Sequence, residues 1–113
     1  MELKEYQERA MTTCMPSSNN FSYMFLNLVG EVGEFASKVA KSIRKEENII
    51  EYNDLGVIEN EAELQKEAGD ILWQLSGLCS VMGWALEDIA QQNLDKLASR
   101  KQRNVIDGNG DNR

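Results

Sequence analysis

The chain has 113 residues, 42% hydrophobic and 27% charged, with nineteen Asp/Glu against twelve Lys/Arg and a net charge of −7. That length suits one domain with one modest core, and the acidic balance argues against the basic surface that carries most nucleic-acid affinity. There is no histidine, which excludes a Ser-His-Asp triad, histidine acid–base catalysis and any His-containing zinc site.

Two cysteines, Cys14 and Cys79, cannot build a four-cysteine zinc site and suggest no disulfide framework. The opening MELKEYQERAM is charged and helical in pattern, unlike a signal peptide. The longest weakly charged stretch, 71–86, is too short and too polar to span a bilayer. These features predict a reduced, soluble, cytoplasmic protein with no membrane partner.

In chain order, residues 2–14 read as a helix with Leu3, Tyr6, Ala10, Met11 and Cys14 along one face. Pro16 and the Ser/Asn run after it break the pattern, and Asn19 or Asn20 is the expected N-cap of the next helix. Helix two is expected over 21–46, with a core stripe of Phe21, Phe25, Leu28, Val32, Phe35, Val39 and Ile43. Residues 47–60 are expected to form a loop. Helix three is expected over 61–82, with Leu64, Ala68, Ile71, Leu75, Leu78 and Met82 inward and Gly83 as its C-cap. Helix four follows over 85–103, with Leu86, Ile89, Ala90 and Leu97 inward. Residues 105–113, rich in Gly, Asn and Asp, are expected to be an irregular tail to a domain spanning 1–104. No strand period is present, so the fold class is all-α.

Small residues lie away from the core stripes of both long helices: Gly30, Gly33 and Ser37 beside Leu26 on helix two, and Gly69, Ser76 and Ser80 beside Trp73 on helix three. A mid-helix glycine costs about 1 kcal/mol against alanine, a loss that close packing by another helix would offset. One short chain cannot easily cover both faces of two long helices, so the expected assembly is a homo-oligomer, dimer or tetramer.

Helix two carries Glu31 and Glu34, and helix three carries Glu67 and Asp70, each pair spaced i, i+3 beside its apolar stripe. If the stripes face each other, the four carboxylates converge at the edge of the core, where mutual repulsion favours a neutralising cation. Hard oxygen donors without His or Cys suit Mg²⁺, or Mn²⁺. The bland alternative is a set of solvated charges, with Glu34 and Lys38 forming an i, i+4 ion pair. On helix four, Asn93, Lys96 and Arg100 project with Ile89, and polar groups on an inward face need a partner. Phosphate oxygens would serve both the lysine point charge and the arginine fork; the alternative is a helix end splayed into solvent. Asn27 and Gln74 share the stripes of the carboxylates and could touch substrate. No phosphate-binding GxxxxGK[ST] loop is present.

The segments LVGEVGEFASKVAK and LQKEAGDILWQL, with LKEYQERA, NLDKLASR and GNGDNR around them, resemble the MazG-like nucleoside triphosphate pyrophosphohydrolases of the all-α NTP pyrophosphatase superfamily. The resemblance implies a four-to-five-helix bundle completed by homo-oligomerisation. It also implies Mg²⁺ held by Glu31, Glu34, Glu67 and Asp70, a triphosphate gripped by Asn93, Lys96 and Arg100, and hydrolysis of (d)NTP to (d)NMP and pyrophosphate as nucleotide-pool house-cleaning. Gly30 stands where the fuller family motif has another acid, a form similar to the dCTP pyrophosphatase branch. The alternatives are a related phosphohydrolase acting on a phosphoribosyl nucleotide and a non-enzymatic helical interaction module.

Overall fold

The computed structural model describes residues 1–44 and 61–113. Among them are four α-helices, α1 (Leu3–Met11), α2 (Phe21–Arg44), α3 (Glu61–Val81) and α4 (Leu86–Gln102), a 3-10 turn at Pro16–Ser18, and no strand. The all-α expectation holds. The loop expected at 47–60 and the last turn of helix two lie outside the described residues.

The helix ends follow local chemistry. α1 stops short of the expected Cys14 because the Thr12 and Thr13 hydroxyls donate to the Arg9 and Ala10 carbonyls (2.6 and 2.8 Å), and Met15, before Pro16, is extended (φ −75°, ψ 149°). Asn20 rather than Asn19 caps α2: its Oδ1 accepts the Tyr23 N–H at 2.9 Å. α3 ends as expected at Gly83, whose φ of +72° suits glycine. There the Trp84 N–H returns to the Cys79 carbonyl (2.8 Å) and the Gly83 N–H to Ser80 (3.1 Å).

α3 is the central helix and touches the other three. α2 packs on it antiparallel: Met24 meets Gly77, and Lys38 meets Glu63 and Glu67. Met24 is fully buried, and a Cβ at Gly77 would stand 2.6 Å from its Cε and 3.5 Å from Met11 Cε. Side chains of α1 and α2 therefore both reach the α3 backbone at this glycine.

α1 closes the other side of α3, which corrects the expectation that α3's small-residue face awaits a second copy. The Trp73 indole N–H donates to the Ala10 carbonyl and to Thr13 Oγ1 (3.0 and 3.1 Å), Ser76 is buried, and Ser80 Oγ accepts from Gln7 Nε2 (3.0 Å). Gln7 also donates to the Trp84 carbonyl and accepts the Leu86 N–H, both at 2.9 Å. It thereby fixes the α3–α4 turn and serves α4's first amide, since Ala85 offers no side-chain cap.

The core stripes also differ from expectation. On α2 the side facing α3 carries Met24, Leu28, Glu31, Phe35, Lys38 and Ser42, whereas Phe21, Phe25, Val32 and Ile43 are exposed. The apolar arc of α2 is wider than one neighbouring helix can cover, and α3 takes only one edge of it. On α3, Leu64 is buried as expected, but Ala68, Leu75 and Met82 are exposed while Glu67, Gln74, Ser76, Gly77 and Cys79 are buried. A helix between two partners buries polar positions that a one-sided stripe would leave outside. On α4, Leu86 is buried and Leu97 exposed. No described helix is long and apolar enough to cross a membrane.

Two stability outcomes follow from this packing. Gln7→Leu removes three hydrogen bonds at one joint and should lower unfolding free energy by about 2 kcal/mol in urea titration. Gly77→Val should cost about 2–3 kcal/mol through overpacking. Part of that loss should return when Met24→Ala is added, a coupling that a double-mutant cycle reads directly. Additive losses would mean that Gly77 does not set the helix approach.

Candidate metal centre

The antiparallel register places Glu31 of α2 against Glu67 and Asp70 of α3. One carboxylate oxygen from each of the three lies within 4.8 Å of the other two. Like charges this close disfavour ionisation, and burial adds to the effect. The Glu31 carboxyl is accordingly pushed above its ordinary value, first by burial and then by Glu34, Asp70 and Glu67. Asp70 also acts on Tyr6 of α1, whose hydroxyl is raised by burial first and by that carboxylate second.

Of the four carboxylates expected to converge, the structure brings three into one group. Glu34 is exposed and outside it, near enough to act on Glu31 by charge alone. One turn along α2, Lys38 Nζ reaches Glu67 Oε1 at 2.6 Å and Glu63 Oε2 at 3.5 Å. The ion pair considered for Lys38 was with Glu34; its partners lie across the seam on α3 instead, because Lys38 sits on the face of α2 that packs there. Lys38 is the residue at this centre that sequence reasoning missed. The available signal was its i+7 spacing from Glu31, which places both on one face.

The donor set fits a hard divalent cation. Glu31 Oε2 and Glu67 Oε2 are buried without a hydrogen-bond partner, whereas buried polar atoms ordinarily have one. Glu67 is 6% exposed, so its free oxygen faces the interior of the seam. Carboxylate oxygens with room for retained waters are what Mg²⁺ takes. Gln74 is buried on α3 one turn beyond Asp70, with its Oε1 also unpartnered.

The basic trio lies elsewhere. α4 packs on α1 and α3, and Asn93 is exposed. Lys96 Nζ and Arg100 Nη2 both contact Asp111 Oδ1 at 3.0 Å, and Arg100 Nη2 also donates to the Asp111 carbonyl at 2.7 Å. Within the chain, the partner these side chains find is the C-terminal segment and not the carboxylate group. That segment has no helix or strand, as expected, but it is held in place: Arg113 donates to the carbonyls of Val105 and Ile106 (3.0 Å each).

The raised Glu31 carboxyl fixes the sign of a pH effect. Its folded value exceeds the unfolded one, so its contribution to stability is complete below the ordinary Glu range and is lost as pH rises through the raised value. In chelator, the melting temperature of the wild type should therefore fall across that window. Glu31→Gln should flatten the fall and raise stability at neutral pH. Added Mg²⁺ should stabilise the wild type by mass action and the variant far less. An equal response of both to metal would remove Glu31 from the centre.

The chain is 42% identical over 97 residues to the Gene 37 protein of Mycobacterium phage L5, covering 86% of this chain and 80% of that protein. No solved structure matches it. The MazG nucleotide pyrophosphohydrolase domain matches residues 19–105, a span that runs from the start of α2 through α4 and contains every carboxylate of the centre as well as Lys96 and Arg100. With most of its length and its whole acidic seam inside that match, the chain belongs to the MazG nucleotide pyrophosphohydrolase family.

Proposed function

We propose that the protein is a Mg²⁺-dependent nucleoside triphosphate pyrophosphohydrolase that converts (d)NTP to (d)NMP and pyrophosphate, clearing nucleotides from the cytoplasmic pool. The observation that carries the reading is the meeting of Glu31, Glu67 and Asp70 from two helices, with two buried carboxylate oxygens left unpartnered. Family membership makes a nucleotide the natural substrate of such a centre.

In this reading Glu31, Glu67 and Asp70 hold the cation, with Glu34 at the exposed edge as the fourth acid. A bound Mg²⁺, or Mn²⁺, would supply charge neutralisation on the triphosphate and acidify a water. One of the carboxylates accepts the proton of the water that attacks the α-phosphate. Lys38 holds Glu67 in place through their ion pair and limits the net negative charge that the substrate must approach. Lys96 and Arg100, with Asn93 beside them, take the outer phosphates, where charge accumulates on the leaving pyrophosphate.

The single chain leaves Phe21, Phe25, Leu26, Val29 and Val32 exposed on α2, beside Gly30 and Gly33. The Phe21 and Phe25 rings stack on each other with centroids 5.8 Å apart. Uncovered apolar surface of this kind supports association of copies through α2, a dimer or tetramer in which the basic end of one α4 can serve the carboxylates of another copy.

Pyrophosphate release from a panel of canonical and modified NTPs, with and without Mg²⁺, tests the activity. Glu67→Gln and Asp70→Asn should each lower kcat/KM by at least about a hundredfold, the loss expected when a metal ligand goes, while helicity by circular dichroism stays near wild type. Near-normal turnover of either variant at saturating Mg²⁺ would sink the ligand assignment.

A further inference from the structure

The C-terminal segment supplies its own anion to the basic end of α4. Two cations, Lys96 Nζ and Arg100 Nη2, converge at 3.0 Å on one oxygen, Asp111 Oδ1. Arg100 makes a second bond from the same nitrogen to the Asp111 carbonyl, so this nitrogen's donors are directed at Asp111. The Arg100 side chain is 6% exposed, while that of Asp111 is 82% exposed. The carboxylate thus lies on the solvent side of a nearly buried guanidinium. Lys96 first and Arg100 second hold the Asp111 carboxyl below its ordinary value, which keeps it anionic at neutral pH.

The segment is built to present this group. The Arg113 guanidinium ties the Val105 and Ile106 carbonyls, Arg103 donates to the Arg113 carbonyl, and Gly110 turns the chain at φ +84°. A Cβ at Gly108 would stand 2.6 Å from Arg113 Cδ and 3.2 Å from the Val105 carbonyl oxygen. Asp111 lies beyond the span matched by the family, residues 19–105.

From this geometry we infer that Asp111 is a displaceable counter-ion that sets the charge selectivity of the Lys96–Arg100 pair: a polyphosphate displaces it, and a monophosphate does not. The inference rests on the proposed role of that pair in holding the outer phosphates. An incoming anion must out-compete a carboxylate already bonded to both cations. Pyrophosphate, with several charged oxygens, can contact both cations and recover more than is lost. A single phosphate group recovers little beyond what Asp111 already gives. In such a site the substrate enters by exchange, and the monophosphate product has no hold on the pair.

The test is calorimetric titration of inorganic pyrophosphate and of orthophosphate into the full metal-free chain, with no turnover involved. The wild type should bind pyrophosphate and show little affinity for orthophosphate. Asp111→Asn keeps the side-chain shape and an acceptor oxygen, so the segment stays folded. Loss of the two ion pairs should tighten pyrophosphate binding roughly five- to twentyfold and bring orthophosphate within reach. Asp111→Ala should move both affinities the same way. Adding Lys96→Ala to Asp111→Asn should abolish the gain. In the wild type, pyrophosphate should raise amide hydrogen exchange across 105–113. Unchanged or weaker pyrophosphate binding in Asp111→Asn, a gain that survives Lys96→Ala, or exchange that does not respond would overturn the inference. Absence of pyrophosphate release from every NTP by the wild type would instead count against the proposed activity, and the binding results would still decide the role of Asp111.

Discussion

The register of α2 against α3 is the constraint on which the rest of the molecule depends. It is set where side-chain bulk is least, at Gly77, where Met24 fills the gap between the helices. Two turns along the seam from Met24, that register forces Glu31 beside Glu67 and Asp70. Apolar burial near Gly77 holds together what Coulomb repulsion would separate, and the Glu31 carboxyl is raised by burial first and by its acidic neighbours second. Two turns further on, Lys38 returns part of the loss by pairing with Glu67. A stable seam with a charged, under-neutralised middle is the structural condition for taking up a cation, since the ion can satisfy oxygens that no side chain reaches.

α1 has a separate task. It lies outside the span matched by the family, yet it covers the face of α3 opposite α2. It does so through directional contacts more than through bulk: the Trp73 indole on two α1 acceptors, and Gln7 on three partners around the α3–α4 turn. Because Gln7 serves the first amide of α4, the direction in which α4 leaves the bundle is tied to α1. That exit carries the basic end of α4 onto the C-terminal segment, so α1 has a part in where Lys96 and Arg100 stand.

Charge is divided unevenly along this acidic chain. Glu31, Glu34, Glu67 and Asp70 lie along α2 and α3, whereas Lys96, Arg100, Lys101, Arg103 and Arg113 lie toward the C-terminal end of the sequence. Among the described residues these two groups make no ion pair with each other; Lys96 and Arg100 pair with Asp111 instead. In the proposed reaction a triphosphate would meet both groups, and the proposed assembly through the exposed apolar arc of α2 would bring them together.

Sequence alone determined the four helices, an asparagine cap at 19 or 20 and the Gly83 stop, because each rests on interactions within a few residues. It also pointed to Glu31, Glu34, Glu67 and Asp70 as one acidic group, because i, i+3 acids beside an apolar stripe can meet only if the stripes do; that Glu34 stays outside the group was left to the helix approach. Tertiary structure decided which part of each stripe was used. α2 offers a wider apolar arc than α3 covers, and α3, held between two helices, buries Ser76 on a face that periodicity assigned to the outside and Glu67 and Gln74 beside its apolar stripe. It decided as well that Trp73 belongs to α1, that Lys38 pairs across the seam and not with Glu34, and that Asp111 answers Lys96 and Arg100. These are contacts between segments far apart in sequence or across a folded turn. Their partners are chosen by the approach and rotation of whole helices, which helical periodicity does not encode.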